Sequence, residues 1–278
     1  MEKKKLYISD LDGTLLNKNS EISDFSKQEL NRLIAEGVKF SVASARGANS
    51  IAEAIEGINL ELPVIECNGA YVTDLKTGKH LIINEIPTEV SEGILNVFDA
   101  YGSVPYVSCH INEEDKLYHG KSMNTGMMNF HRDKQKANDP RLQELDVIGE
   151  ALKGQIVSFN YVDKREVLEE INEALKVFEQ HINSIIVEDH CYEGWYWLMI
   201  NSVHATKETG IKVLMEDLEM SSYKLTVFGD NLNDLEMFEL ADEGVAVGNA
   251  HERLKSRATE IIGSNDEDSV VRYILRNH

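Results

Sequence analysis

Two acid-rich motifs at strand ends constrain this chain more than any other feature. Asp10-Leu11-Asp12-Gly13-Thr14-Leu15 follows the short apolar run Lys5 to Ser9, and Phe228-Gly229-Asp230-Asn231-Leu232-Asn233-Asp234 closes the β-rich run Lys224 to Phe228. Each run reads as a buried strand, and in an open parallel sheet the carboxyl ends of the strands form the edge where ligands bind. Asp10, Asp12, Asp230 and Asp234 are therefore expected to converge. Two unit charges about 4 Å apart repel by roughly 4 kcal/mol at an effective dielectric near 20, so such a cluster requires a cation. An all-oxygen donor set favours a hard ion, Mg²⁺ ahead of Ca²⁺ or Zn²⁺. The alternative is four solvated acids that never meet, since Asp-x-Asp-Gly is by itself a common loop composition.

The spacing around these motifs alternates strands with helices. Asp24 to Glu36 carries Phe25, Leu30, Leu33 and Ile34 at helical spacing and stops at Gly37, and Val38 to Ala43 reads as a second, parallel strand. Gly47 to Glu56 reads as a helix, Val64-Ile65 as the start of a buried strand, and Lys76 to Lys79 around Gly78 as a hairpin turn. After residue 204 the alternation returns, with helices over Lys207 to Leu218 and Asn233 to Leu240 and strands at Lys224 to Phe228 and Gly244 to Val247. The expected fold class is α/β, a doubly wound parallel-sheet (Rossmann-like) core with an inserted α+β cap domain. Its domains are residues 1–83 with 202–278 for the core and 84–201 for the insertion. In the insertion, helices are expected over Glu89 to Ala100, Arg141 to Leu152 and Lys164 to His181, and strands at Val104 to Cys109, Ile156 to Tyr161 and Ser184 to Val187. Gly120 to Pro140 is polar and aperiodic and reads as a long loop.

Charge excludes several partners. The chain has 28 Lys plus Arg against 48 Asp plus Glu, a formal net charge of −20. A nucleic-acid binder needs clustered cations to displace counterions, and an acidic surface is repelled by anionic membranes. No run approaches the ~18 apolar residues of a membrane span. The charged start, Met1 to Lys5, does not resemble a signal peptide. Cys67, Cys109 and Cys191 have no metal-site spacing and read as reduced thiols in a cytoplasm. Nothing in the sequence specifies an oligomeric state.

Asp10-x-Asp12-Gly-Thr, Ser44 after the second strand, Lys207 at a helix start and Gly229-Asp230-x-x-Asn233-Asp234 resemble, in order, the four motifs of haloacid-dehalogenase-superfamily phosphatases. Asn68-Gly69-Ala70, Val247-Gly248-Asn249-Ala250 and the insertion between the second and third motifs resemble the Cof-like branch with a type II cap. The resemblance spans the chain. It implies Asp10 as a nucleophile forming an aspartyl phosphate, and Asp12 as the acid toward the leaving alcohol and then the base toward water. It also implies Mg²⁺ held by the Asp10 carboxylate, the Asp12 backbone carbonyl and Asp230, with Asp234 acting directly or through water. Ser44 and Lys207 would hold the transferring phosphoryl group. Arg46, Asn233, Asn249 and, in the cap, Arg132 are further candidates for substrate or phosphate binding. The chemistry agrees, because covalent catalysis splits the displacement into two steps and one carboxyl can serve as acid and then base.

Two positions depart from the family pattern. Ser44-Ala45-Arg46 stands where Thr-Gly-Arg is usual, and Lys207-Glu208 where Lys-Gly is usual. Arg46 reads equally as a phosphate contact and as a surface charge. The basic run His131 to Lys136 reads as a solvated patch or an anion contact, and Trp195 with Trp197 as neighbours on one strand face that pack in the cap sheet. The expected activity is Mg²⁺-dependent hydrolysis of a small phosphorylated metabolite, with a sugar phosphate the first class considered. A phosphomutase of the same fold and a catalytically idle ligand-binding module are the rivals.

Overall fold

The computed structural model describes residues 4–121, 123–189 and 191–278, so Met1 to Lys3 of the charged start lie outside the described residues. The chain divides into two compact units, Met1–Ile82 with His204–His278, and Ile83–Val203.

In the first unit five strands lie in the order Glu260–Ile261, Glu243–Ala246, Lys224–Gly229, Lys5–Ser9 and Lys39–Val42, and every neighbouring pair is parallel. All but the exposed edge strand Glu260–Ile261 are mostly apolar because they are covered on both sides: Leu6, Ile8, Val42, Val227 and Phe228 are fully buried. Burying each such side chain stabilises the fold by about 1.5–3 kcal/mol. The helix Asp24–Ala35 begins where the Ser23 hydroxyl accepts from the Ser26 amide at 3.0 Å, and it buries Leu30, Leu33 and Ile34. The helix Ser269–Asn277 buries Val270, Val271, Tyr273 and Ile274. A parallel bridge from Ala43 to Ile65 leads to a second sheet of three strands, ordered Val64–Glu66, Tyr71–Asp74 and Lys79–Ile83. The turn expected around Gly78 closes there, its amide donating to the Asp74 carbonyl at 2.8 Å.

The second unit holds a six-stranded sheet in the order Ile182–Glu188, Tyr196–Ser202, Gln155–Asp163, Tyr106–Ile111, Glu114–His119 and Leu142–Glu144. All pairs are antiparallel except the last. The helices Thr88–Ala100, Thr125–Lys136 and Arg165–Leu175 belong to this unit, whose own core includes Phe98, Tyr106, Phe159, Ile171 and Leu198.

Three expectations in this unit need correction. Gly120 to Pro140 contains the helix Thr125–Lys136, capped where the Asn124 side chain accepts from the Met127 amide at 2.8 Å. Apart from His131, whose Nδ1 lies 3.0 Å from the Tyr106 hydroxyl, its polar residues lie away from the narrow inner stripe on which Met127 is buried and Phe130 meets Tyr106 and Trp197 edge-on at 4.9 and 4.7 Å, a stripe that composition conceals. Arg141 to Leu152 is the strand Leu142–Glu144 and a 3₁₀ turn at Ile148–Lys153, because Leu142 to Glu144 pair with Leu117 to His119 instead of continuing a helix. Trp195 precedes its strand, which starts at Tyr196; like Trp197 it packs against this unit's core as expected, with the Lys164 ammonium 3.9 Å from its ring centroid. Among the described residues no helix is long and apolar enough to cross a membrane.

Gly69 has φ +93°, and a Cβ there would lie 2.0 Å from the Thr206 carbonyl oxygen. The turn Cys67–Gly69 thus abuts the residue before Lys207. Gly69→Ala should lower stability by about 2 kcal/mol or more, from left-handed strain and backbone collision. Urea unfolding measures this, and a change below about 0.5 kcal/mol, the range of an innocuous surface substitution, would contradict the contact.

Candidate active site

Strand register brings the motifs to one sheet edge. Ser9 lies opposite both Phe228 and Val42, so the residues just beyond each strand emerge together. The Asp10 amide donates to the Phe228 carbonyl at 2.9 Å, which carries the parallel pairing one residue past the strand. The chain then makes a wide turn over Leu11–Leu15, closed by the Leu16 amide on the Leu11 carbonyl at 2.9 Å. Gly13 has φ +76°, and a Cβ there would lie 2.5 Å from Asp230 Oδ2; the turn needs glycine for both reasons. Thr14 Oγ1 donates to Asp230 Oδ1 at 3.1 Å and ties the two motifs together.

Asp10, Asp230 and Asp234 each offer a carboxylate oxygen, and these oxygens lie within 4.8 Å of one another. Lys207 Nζ donates at 2.6 Å to Asp10 Oδ1 and at 2.6 Å to Asp234 Oδ1, and it is almost wholly buried. Lys207 is the first residue of its helix, capped by Thr206, whose hydroxyl accepts from the Thr209 amide at 3.1 Å. A cation at a helix N-terminus opposes the macrodipole, so the two carboxylates hold it there. The second oxygen of Asp234 accepts from the amides of Asp230 and Asn231, each at 3.0 Å. Both Asp234 oxygens are thus engaged, while Asp10 and Asp230 are the better placed to ligate an ion.

Three carboxylates share one ammonium in a desolvated pocket, and the titration behaviour reflects the imbalance. Burial pushes the Asp10 carboxyl up to about 7, with Asp234 and Asp230 adding to the rise and Lys207 opposing it. Asp230 is likewise raised, first by burial and then by Asp234. Burial works against the Lys207 ammonium, but Asp10 and Asp234 outweigh it and its pKa is raised. The cluster is short of positive charge, and its all-oxygen donors fit a hard divalent ion such as Mg²⁺.

Asp12, expected as the fourth member of the cluster, is not one of the three. Its carboxylate accepts from Arg46 Nε at 2.7 Å and Nη2 at 2.6 Å, a two-point pair with Asp12 half exposed. The backbone at Asp12 leaves helical geometry, with ψ 121°, and the guanidinium fork matches a carboxylate's geometry. Arg46 is thereby an active-edge contact and no isolated surface charge. Ser44 is buried, and its hydroxyl oxygen accepts from the Arg46 amide at 3.1 Å.

The remaining candidates divide. Asn233 Nδ2 donates to Asn68 Oδ1 at 3.1 Å, and the Asn68 amide donates to the Ser44 carbonyl at 2.9 Å, which links the second and fourth motifs. Asn249 uses its side chain on backbone: Nδ2 donates to the Gly13 carbonyl at 2.7 Å and Oδ1 accepts from the Asn265 amide at 2.9 Å. Arg132 lies in the second unit and is exposed on the helix Thr125–Lys136. Its neighbours Lys134 and Lys136 pair with Asp139 at 3.7 Å and Asp133 at 3.8 Å, so most of that basic run is neutralised locally.

Sequence reasoning missed Glu66. It is buried, accepts from the Ala48 amide and the Thr73 hydroxyl, and so supports the loop that carries Ser44 and Arg46. A carboxylate ending the apolar run Val64-Ile65 was the available signal.

The chain matches the family model of haloacid dehalogenase-like hydrolases over residues 7–274. It is 24% identical over 279 residues to the 5-amino-6-(5-phospho-D-ribitylamino)uracil phosphatase of Bacillus subtilis, covering 99% of this chain and 98% of that one. It is also 24% identical over 266 residues to the pyridoxal phosphate phosphatase of Escherichia coli, covering 95% of each. Among solved structures, a Thermotoga maritima protein superposes with a TM-score of 0.79 at 26% identity, covering 100% of this chain and 98% of that one.

Asp10 keeps its proton up to about pH 7 in the folded chain and releases it in the ordinary carboxylate range when unfolded. Between those limits the folded state binds the extra proton, so the stability this group contributes is present at low pH and is lost as pH rises through about 7. With chelator present, Asp10→Asn should flatten that decline and raise the melting temperature at pH 8 by about 3 °C or more, the scale of 1 kcal/mol in a protein of this size. Melting curves from pH 4 to 8 decide it; parallel wild-type and variant curves would refute the charge imbalance.

Proposed function

The chain belongs to the haloacid dehalogenase-like hydrolase family, and from that premise we propose that it is a Mg²⁺-dependent phosphatase of small phosphorylated metabolites, working through an aspartyl phosphate. The observation that carries this reading is the buried Asp10–Lys207–Asp234 array beside Asp230, with Asp12 held apart on the same turn. Lys207 holds Oδ1 of Asp10, which leaves Oδ2 as the attacking atom. As the Asp10 oxygen bonds to phosphorus, the ester P–O bond breaks and the departing alkoxide takes a proton from Asp12. In the second step Asp12 takes a proton from water, whose oxygen attacks phosphorus and releases inorganic phosphate and free Asp10. Ser44, Lys207 and Arg46 are the groups proposed to hold phosphoryl oxygens, as fixed donors do for a charge-rich transition state.

Asp10 and Asp230 are proposed as the carboxylate ligands of Mg²⁺, with the Asp12 backbone carbonyl completing the protein's share and Asp234 supporting from behind. The ion would supply the positive charge that three carboxylates and the substrate phosphate together demand. The unit Ile83–Val203 is read as the cap that selects substrates, with Arg132 its candidate anion contact. The names of the two relatives support the substrate class, since each specifies a phosphate on a small organic molecule; sugar phosphates are the first to test.

A screen of phosphorylated metabolites with Mg²⁺, read by phosphate release, tests the activity. Turnover in H₂¹⁸O separates hydrolysis from phosphoryl return to another hydroxyl, because only hydrolysis puts the label into inorganic phosphate. Asp10→Asn should cut kcat by more than about a hundredfold, over ~2.7 kcal/mol of barrier, and chelation should abolish turnover until Mg²⁺ is restored. Asp12→Ala should harm turnover of alkyl phosphates more than that of p-nitrophenyl phosphate, whose leaving group needs no proton. Equal harm to both would remove the acid role.

A further inference from the structure

We propose that Asn249 and Asn265 form a brace that fixes the turn carrying Asp12, making both positioning residues for proton transfer to the leaving group. The proposal rests on the reading of Asp12 as that proton donor.

The turn Leu11–Leu15 has two unlike halves. Leu11, Thr14 and Leu15 are buried, while Asp12 and Gly13 depart from helical geometry, with ψ 121° at Asp12 and φ 76° at Gly13. The half that bears the acid is therefore the exposed, less regular one. Its backbone is held from outside. Asn249 Nδ2 donates to the Gly13 carbonyl at 2.7 Å, and Asn265 Nδ2 donates to the Leu16 carbonyl at 2.8 Å. The two asparagines are themselves joined, because Asn249 Oδ1 accepts from the Asn265 amide at 2.9 Å.

The brace has a rigid base. The Ser264 amide and hydroxyl donate to Glu267 Oε2 at 2.7 and 2.9 Å, which closes the turn around Asn265. The Gly248 amide donates to the Gly263 carbonyl at 2.9 Å and sets Asn249 beside it. Two more contacts extend the clamp along the chain beyond the turn: Asp266 Oδ1 accepts from the Lys18 amide at 3.0 Å, and Asp268 Oδ1 accepts from Ser26 Oγ at 2.8 Å.

Neutral amides suit this position. A charged donor on the Gly13 carbonyl would be a cation and would compete with the ion the acid cluster calls for, whereas an asparagine directs the backbone without changing net charge. The geometric demand is strict, since a misplacement of about 1 Å at a reacting group costs on the order of a hundredfold in rate. The Arg46 pair grips the Asp12 carboxylate, and the asparagines grip the backbone on its C-terminal side.

The test compares Asn265→Ala, Asn249→Ala and Asp12→Ala on a primary alkyl phosphate and on p-nitrophenyl phosphate, with Mg²⁺ present. Each asparagine variant should lower kcat on the alkyl substrate by about tenfold, the scale of one hydrogen bond of about 1.4 kcal/mol. The aryl substrate should change by less than about twofold, with KM held on both. Loss of folded protein alone would lower both rates together and leave their ratio unmoved, so the ratio reports positioning even where one variant folds poorly. If Asp12→Ala shows the alkyl bias and neither asparagine variant does, the brace is overturned and the Asp12 reading stands. If Asp12→Ala harms both substrates equally, the Asp12 reading falls and takes the brace with it.

Discussion

The buried ammonium of Lys207 between Asp10 and Asp234 is the interaction on which the rest of this site depends. Removing three charged groups from water costs several kcal/mol per ion, and the contacts at 2.6 Å offset it only because all three are present. Removing the ammonium would leave two buried carboxylates uncompensated, whereas losing one carboxylate would leave a balanced pair. The array also joins distant pieces of chain: the end of the first strand, the first turn of the helix Lys207–Asp217 and the turn after Lys224–Gly229. One ammonium holds together the segments that carry three of the four motifs, yet leaves the trio net negative.

That residual charge has a structural counterpart in close backbone approach. Parallel register sets the strand ends level, but level ends do not by themselves bring side chains into contact. Gly13 lets the first motif run against Asp230, and Gly69 lets the turn Cys67–Gly69 press against Thr206 just before the lysine. Above the second strand, the Glu66 carboxylate receives the Ala48 amide and holds the loop from beneath. The site is compact because small residues permit contact where larger ones would enforce distance.

The core and most of its acids were legible because the signals were strong and local. A carboxylate directly after a buried apolar strand has few places to go, and two such motifs imply one edge. Asp12 lies outside the cluster that the sequence predicts because its carboxylate pairs with Arg46, 34 residues away. The helix Thr125–Lys136 looks like loop in the sequence because its buried stripe is narrow and its capping residue, Asn124, is equally a loop residue. Asn265 left no signal at all: an asparagine in a polar turn is ordinary, and its partner carbonyl at Leu16 lies 249 residues away.

The separation of Asp12 from the other acids fits the proposed division into a nucleophile and a proton carrier. A nucleophile and a proton carrier of the same chemical type need different surroundings, or each would perturb the other's ionisation. Here Asp10 is desolvated and tied to a buried lysine, whereas Asp12 is half exposed and tied to an arginine. One residue, Leu11, lies between them, and Gly13 turns the backbone just after Asp12. Placing the second carboxylate within the trio would have raised its repulsion with Asp10 and Asp230; holding it outside, by a guanidinium on the side chain and neutral amides on the backbone, leaves the trio's deficit of positive charge to be met by an ion and by the second acid not at all.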